Sequence, residues 1–194
     1  MRRLVSGLSL LVAGLVLGGC NLVSSTPLAS RADSTVPFDL LAPTLPFSPS
    51  QRVVYTHQSI YLLASSGYLE AVPRLVPAPA SLFDVEYSLP AGPNTAEASR
   101  GLGTRVPADA VVEGVQLEAG RALVEMSSPF ARVTGRSRTI AVAQLLESAA
   151  AWGPVSSLQV EVNHEPLSVL VGATETTTVT LSDVRSLLAP TKSH

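Results

Sequence analysis

The sequence predicts an α/β fold of the α+β type: a single small domain with two main helices packed on a mixed, mostly antiparallel sheet. Three observations predict it. Short β-branched and aromatic runs are divided by turn signals, and several alternate apolar with polar residues as half-wet strands do. Two other stretches repeat their apolar residues at spacings of three and four, the helical period. The chain has 194 residues, and the patterned part is long enough for one core without disulfides. The expected organisation is an apolar leader over 1–19, a linker over 20–50 and one domain over 51–190.

Taken in order, the chain begins with Arg2 and Arg3, a short positive region. Leu4 to Gly18 form an apolar run of 15 residues. A membrane-spanning helix needs roughly 20 such residues, so the run reads as a secretory signal. Cys20 is the single cysteine, so no internal disulfide can form. The stretch Leu17-Gly18-Gly19-Cys20 resembles the bacterial lipobox. That resemblance implies cleavage before Cys20 and acylation of its thiol and its new amine. Two or more acyl chains hold a protein stably, at about 0.8 kcal/mol per buried methylene, where one holds it marginally. From Asn21 to about Ser50 the chain is rich in Ser, Thr, Pro and Ala without a sustained period, and reads as a solvated linker. Its apolar portion, 37–48, reads as an extended arm, because its prolines oppose regular structure.

In the domain, "RVVYTH" and "SIYLLA" read as two strands, and "GYLEAVPRLV" as an edge strand because of Pro73. Ala80 to Leu89 reads as a helix with Leu82, Val85 and Leu89 on one side, stopped by "LPAGP". Val111 to Glu118 and Arg121 to Met126 form a hairpin through Ala119-Gly120, where a tight turn needs positive φ. Thr139 to Trp152 is the strongest helix, capped by Ser137 and stopped at Gly153-Pro154. Its apolar stripe is Val142, Leu145, Leu146, Ala149 and Trp152, with Gln144, Glu147 and Ser148 opposite. Leu158, Val160 and Val162 alternate with polar neighbours in a strand, beside which Leu167 to Val171 returns. "TETTTVTL" adds a late strand, and Ser182 caps a final helix over 183–188.

Candidate chemistry is sparse. Charged residues are 14% of the chain and net charge is −2, which gives no reason to expect nucleic acid. His57, His164 and His194 are too far apart in sequence for local metal-ligand spacing, so no metal and no cofactor are expected. His164 reads as a solvated turn residue, and no G-x-S-x-G, S-x-x-K or H-E-x-x-H occurs. The glycines of "GPNTAEASRGLG" lack the preceding strand and the lysine of a phosphate loop and read as turn geometry. Glu113, Glu118 and Glu125 read as solvating a hairpin face, and Trp152 as core. Arg100 and Arg105 flank one loop, and Arg132, Arg136 and Arg138 a helix start. Arg100, Arg105, Arg136 and Arg138 are the candidate partner-binding residues; the plainer reading is solvated charge at element edges.

The pieces "LPAGPNTAEASRGLGTRVP", "VEGVQLEAGRALVEMSS", "TIAVAQLLESAAAW" and "VSSLQVEVNHEPL", in this order, resemble the GerMN domain, a family named from a spore germination protein. The resemblance covers about residues 51 to 171. Its glycine-leucine-x-threonine-x-x-proline segment falls on Gly101, Leu102, Thr104 and Pro107. The chain departs from the family at Val124-Glu125-Met126, at Ser148 where threonine is common, and at His164 where a turn glycine is usual. It has room for one copy, where the namesake has two. The resemblance implies an envelope lipoprotein without established catalytic residues. The resulting expectation is a non-enzymatic module anchored at Cys20 on the outer face of the cell membrane, binding an envelope protein. The alternatives are a peptidoglycan-binding module and an envelope enzyme of unrecognised type.

Overall fold

The computed structural model describes residues 53–189. The predicted signal peptide, Cys20, the linker with its 37–48 arm, and His194 lie outside the described residues.

The fold opens with a long hairpin. Strand β1 (Tyr55–Leu63) pairs antiparallel with β2 (Leu69–Pro77) without a register shift. The two predicted strands before residue 64 are thus one, running through Gln58, which lay between them. Even-numbered side chains, Ile60 and Leu62 with Val72 and Val76, turn inward and are buried. Among the strands, β2 pairs only with β1, and Pro73 sits in it as expected of an edge.

Helix α1 (Leu82–Tyr87) follows, shorter than predicted, because Ser81 caps it in a reciprocal bond set with Asp84. Leu82, Val85 and Leu89 are buried as their spacing requires. Helix α2 (Thr95–Ser99) was not predicted; Asn94 and Glu97 form its capping box within the glycine-rich stretch read as a turn.

Strands β3 (Val112–Glu118) and β4 (Arg121–Met126) form the predicted hairpin. Ala119 and Gly120 have φ of 48° and 82°, the two positive values of a tight primed turn. A 3-10 turn, Ser128–Arg132, buries Phe130. Helix α3 (Gly135–Trp152, 18 residues) then carries the chain across to β5 (Ser157–Val162), which lies parallel to β4. The cap is Thr134, not Ser137, which lies in the first turn.

Strand β5 is the hub of the five-stranded sheet, flanked by β4 and by antiparallel β6 (Glu165–Pro166) and β9 (Thr178–Thr180). The predicted return strand divides. Leu167 N–H still reaches the carbonyl of Val160 at 2.9 Å, but β7 (Val169–Val171) pairs with β8 (Thr174–Thr176) instead. The late strand likewise splits into β8 and β9. Thr180, not Ser182, caps α4 (Leu181–Val184) together with Asp183, and a 3-10 turn follows over Arg185–Leu187.

The α+β architecture with a mixed, mostly antiparallel sheet is therefore observed, with two additions, the small β7–β8 sheet and the β1–β2 ribbon. The β1–β2 ribbon is a separate sheet packed on α3, which also touches β5, β7, β9, α1 and α4. All residues from Ile140 to Ala149 are consequently buried. Among the described residues, every buried apolar side chain lies between Ile60 and Val184, so this span closes its own core.

Candidate functional site

The polar residues of α3 do not face water. Gln144 and Ser148 are both fully buried against the open edge of β1. Gln144 Nε2 donates to the Tyr61 carbonyl at 3.0 Å, and Tyr61 N–H donates to Ser148 Oγ at 2.9 Å. These two side chains act as the next strand would, satisfying an edge that hydrophobic contact alone would leave unpaired. Gln144 Oε1 also accepts from Arg105 N–H at 2.8 Å and from Thr104 Oγ1 at 3.3 Å, tying in the loop after α2. Ser148 donates back to the Gln144 carbonyl at 2.6 Å. The hydroxyl that the family commonly supplies as threonine thus has a structural task here. One step along β1, Leu63 exchanges two 2.8 Å backbone bonds with Gly103, which continues the same edge.

A second internal group was also missed. Arg74 on β2 makes a two-pronged contact with Glu97 on α2, at 2.7 and 2.8 Å, and donates to the Gly92 carbonyl at 2.7 Å. Glu97 closes its own capping box through Asn94 N–H at 2.8 Å. The Arg74 hydrogen bond is the leading cause that holds the Glu97 carboxyl below its ordinary range, assisted by Asn94 and opposed by burial. The signal was present in Asn94-Thr95-Ala96-Glu97, a capping-box spacing.

Two carboxyls lie inside without full partners. Glu86 on α1 is fully buried, and neither oxygen is hydrogen-bonded; burial pushes its pKa well up. Glu147 on α3 has one unpartnered oxygen and is also shifted up by burial. The Tyr61 phenol is raised by burial and, secondarily, by the charge of Glu147.

The four candidate arginines divide. Arg138 donates to the carbonyls of Val133, Ser168 and Ala131, which clamps the entry to α3 onto the β7 segment. Arg100 is exposed and paired with Glu70, as Arg132 is with Asp109. Among the described residues, the exposed guanidinium groups of Arg105 and Arg136 make no ion pair. Each borders an open groove. The Arg136 groove, about 350 Å³, includes Thr139, Ile140, Leu170, Ser186 and the acidic Asp183. The Arg105 groove, about 380 Å³, runs past Gly101, Gly103 and the β1–β2 tip.

The other singled-out residues scatter. Glu113 is exposed and Glu118 pairs with Arg121 at 3.0 Å. Glu125 is only 15% exposed and accepts the His164 backbone N–H at 3.0 Å, steadying a turn in which Asn163 and His164 have φ of 55° and 62°. Positive φ explains why glycine is usual there. His57 lies exposed within β1 instead of at its end. Trp152 is half-buried and donates to the Ala80 carbonyl at 2.9 Å. Among the described residues, no three His, Cys, Asp or Glu side chains converge as metal ligands, and no helix is long and apolar enough to cross a membrane.

No protein-family model and no curated protein matches the chain. Solved structures do. The tandem GerMN domains of the sporulation protein GerM from Bacillus subtilis align with a TM-score of 0.52 and 19% identity, over 67% of this chain and 48% of that one. The first GerMN domain of that protein aligns with a TM-score of 0.50 and 19% identity, over 66% of this chain and 98% of that one. The chain therefore spans about half the length of the tandem structure and nearly all of the single domain. Identity this low speaks to the fold, which agrees with the order of elements built up above: the chain carries a GerMN-like domain.

Proposed function

We propose that the chain is a lipoprotein anchored through Cys20 at the outer face of the cell membrane, and that its GerMN-like domain works without catalysis as an interaction or scaffold module for another envelope protein. The observation behind the non-catalytic reading is that five polar side chains which could carry chemistry are already taken up by the fold, while the unpartnered Glu86 and Glu147 carboxyls are enclosed in the core. Gln144, Ser148, Arg74, Glu97 and Arg138 each hold backbone or one another, so they join elements. Arg105 and Arg136 supply unpaired positive charge at groove edges for a partner with acidic side chains. The anchor raises the domain's local concentration at the membrane, so a weak contact suffices.

In-cell crosslinking and mass spectrometry of the chain tests this. One stoichiometric envelope neighbour, weakened by Arg105→Glu or Arg136→Glu, supports the reading, and no enriched neighbour rejects it. Loss of acyl label on Cys20→Ser tests the anchor separately. The unpaired guanidinium of Arg136 favours a second reading, binding of an anionic wall polymer, against which the carboxyl of Asp183 in the same groove counts. Retention on purified wall that falls steeply with added salt would select it.

A further inference from the structure

The outer face of the β1–β2 ribbon has an unusual composition. Its register places Tyr55, His57, Ser59, Tyr61 and Leu63 opposite Pro77, Leu75, Pro73, Ala71 and Leu69 on one side. None of these ten positions carries Asp, Glu, Lys or Arg, whereas the inner face includes Glu70 and Arg74. Seven of the ten are exposed, Tyr55, His57 and Ser59 with Ala71, Pro73, Leu75 and Pro77. Toward the turn Leu69 is buried and Tyr61 and Leu63 pack against the core, so the free face is the part of the ribbon away from the turn. Tyr55 and Leu75 are 59% and 60% exposed, and the residues leading in, Val53 and Val54, are 56% and 64% exposed. We infer that this ribbon face is a docking surface for the lipid bilayer itself, laying the domain against the membrane that anchors it.

Two arguments select a bilayer over a protein. The first is area. The exposed stretch, about seven residues at about 3.3 Å each on two strands about 4.8 Å apart, presents a face of about 220 Å². A stable protein interface needs about 800 Å² per partner, so a second copy is poorly served. Partition into a bilayer surface has no such threshold and grows with each apolar group buried. The second is where the anchored chain enters, and this step rests on the anchoring reading above. From Cys20, 32 residues lead to Val53, the first described residue, at the start of the patch itself. Even fully extended, they keep Val53 within about 110 Å of the anchor. The uncharged face further predicts attraction without preference for anionic lipid.

The test uses the chain beginning at residue 20 with Cys20→Ser, which retains the whole self-contained core, so that no acyl chain contributes. Vesicle flotation is run with pure phosphatidylcholine and with phosphatidylglycerol-enriched vesicles. The expected result is equal, salt-insensitive binding, reduced about tenfold or more by Leu75→Glu or Tyr55→Glu and increased by Ser59→Leu. Unchanged circular dichroism and melting temperature show that the variants stay folded. Absence of binding, binding confined to anionic vesicles, or equal binding by the glutamate variants overturns the inference. A concentration-dependent dimer in sedimentation that the same variants abolish also overturns it, in favour of a second copy. Acylation of Cys20 in cells is read independently, so an acylated chain whose unlipidated form ignores vesicles leaves the anchor standing and removes this inference alone.

Discussion

Glu86 offers a sharp test of the core. It sits on the inward side of α1 beside Leu82 and Val85, fully buried, with both oxygens unpartnered. A buried carboxyl without partners avoids the cost of charge by keeping its proton. Its folded pKa is accordingly raised, by burial, above the unfolded value of about 4.3. The sign follows from proton counts. Below the unfolded pKa both states are protonated and stability is independent of this group. Between the two values the folded state binds a proton that the unfolded state has released, so stability falls by about 1.4 kcal/mol per pH unit and levels off above the folded pKa.

Replacing Glu86 with Met keeps an unbranched side chain of similar size and removes both the proton uptake and the unsatisfied oxygens. We expect a gain of about 1–3 kcal/mol from the unpaired polar group alone, growing as pH rises through that window. Glu86→Gln keeps the shape without titrating, so it should lose the slope yet gain less, because its amide remains unpartnered. Glu147, also shifted upward by burial, leaves a residual slope in both variants. The assay is urea unfolding at successive pH values, followed by circular dichroism and by the fluorescence of Trp152, the single tryptophan. Parallel stability–pH curves for the parent and Glu86→Met, or a less stable Met variant at neutral pH, would refute the reasoning.

Three further expectations concern the joints of the fold. Arg74→Met strands the Glu97 carboxylate inside and should cost about 3–5 kcal/mol in urea unfolding; Glu97 is depressed by Arg74, so the parent keeps this contribution above pH about 4.3 and loses it as pH falls through the folded value. Gln144→Leu removes the donor to the Tyr61 carbonyl and the acceptor for Arg105 N–H and should cost about 1–3 kcal/mol, with faster amide exchange at Arg105; unchanged exchange there would count against the edge-sealing role. Ala119→Gly and His164→Gly relieve positive φ at the two tight turns, and each should raise stability by up to about 1–2 kcal/mol in the same assay.

The elements that were legible in the sequence are those whose cause is local. Ala119-Gly120 sits at a turn whose dihedral demand is met within two residues, and Leu158, Val160 and Val162 announce a half-wet strand by alternation alone. The short elements after residue 165 were legible only as strand-forming chain. Whether Val169 pairs with Thr176 or lies beside β5 is decided by long-range packing. The candidate arginines were legible as residues and not as a set. Arg138 and Arg100 find partners that distant segments bring to them, Ser168 and Glu70, which no local spacing encodes.

The polar side of α3 is the instructive failure. Gln144, Glu147 and Ser148 fall opposite an apolar stripe, and periodicity alone assigns such a side to water. Periodicity cannot distinguish water from a strand edge, because both accept and donate hydrogen bonds. Charge can. Between Thr139 and Trp152 the single ionisable side chain is Glu147, whereas the wet side of a surface helix ordinarily carries several charges. Uncharged polar residues at a spacing of four, in a helix otherwise built from Ala, Leu and Val, fit a helix enclosed on every side. The Tyr61 backbone supplies the hydrogen bonds that enclosure would otherwise remove. The same comparison of charge with polarity, applied to the β1–β2 ribbon, separates a charge-bearing inner face from an exposed outer one without charge. In α3 the missing charge marks the Tyr61 strand edge as the neighbour; on the outer ribbon face it is the feature on which the bilayer-docking proposal rests.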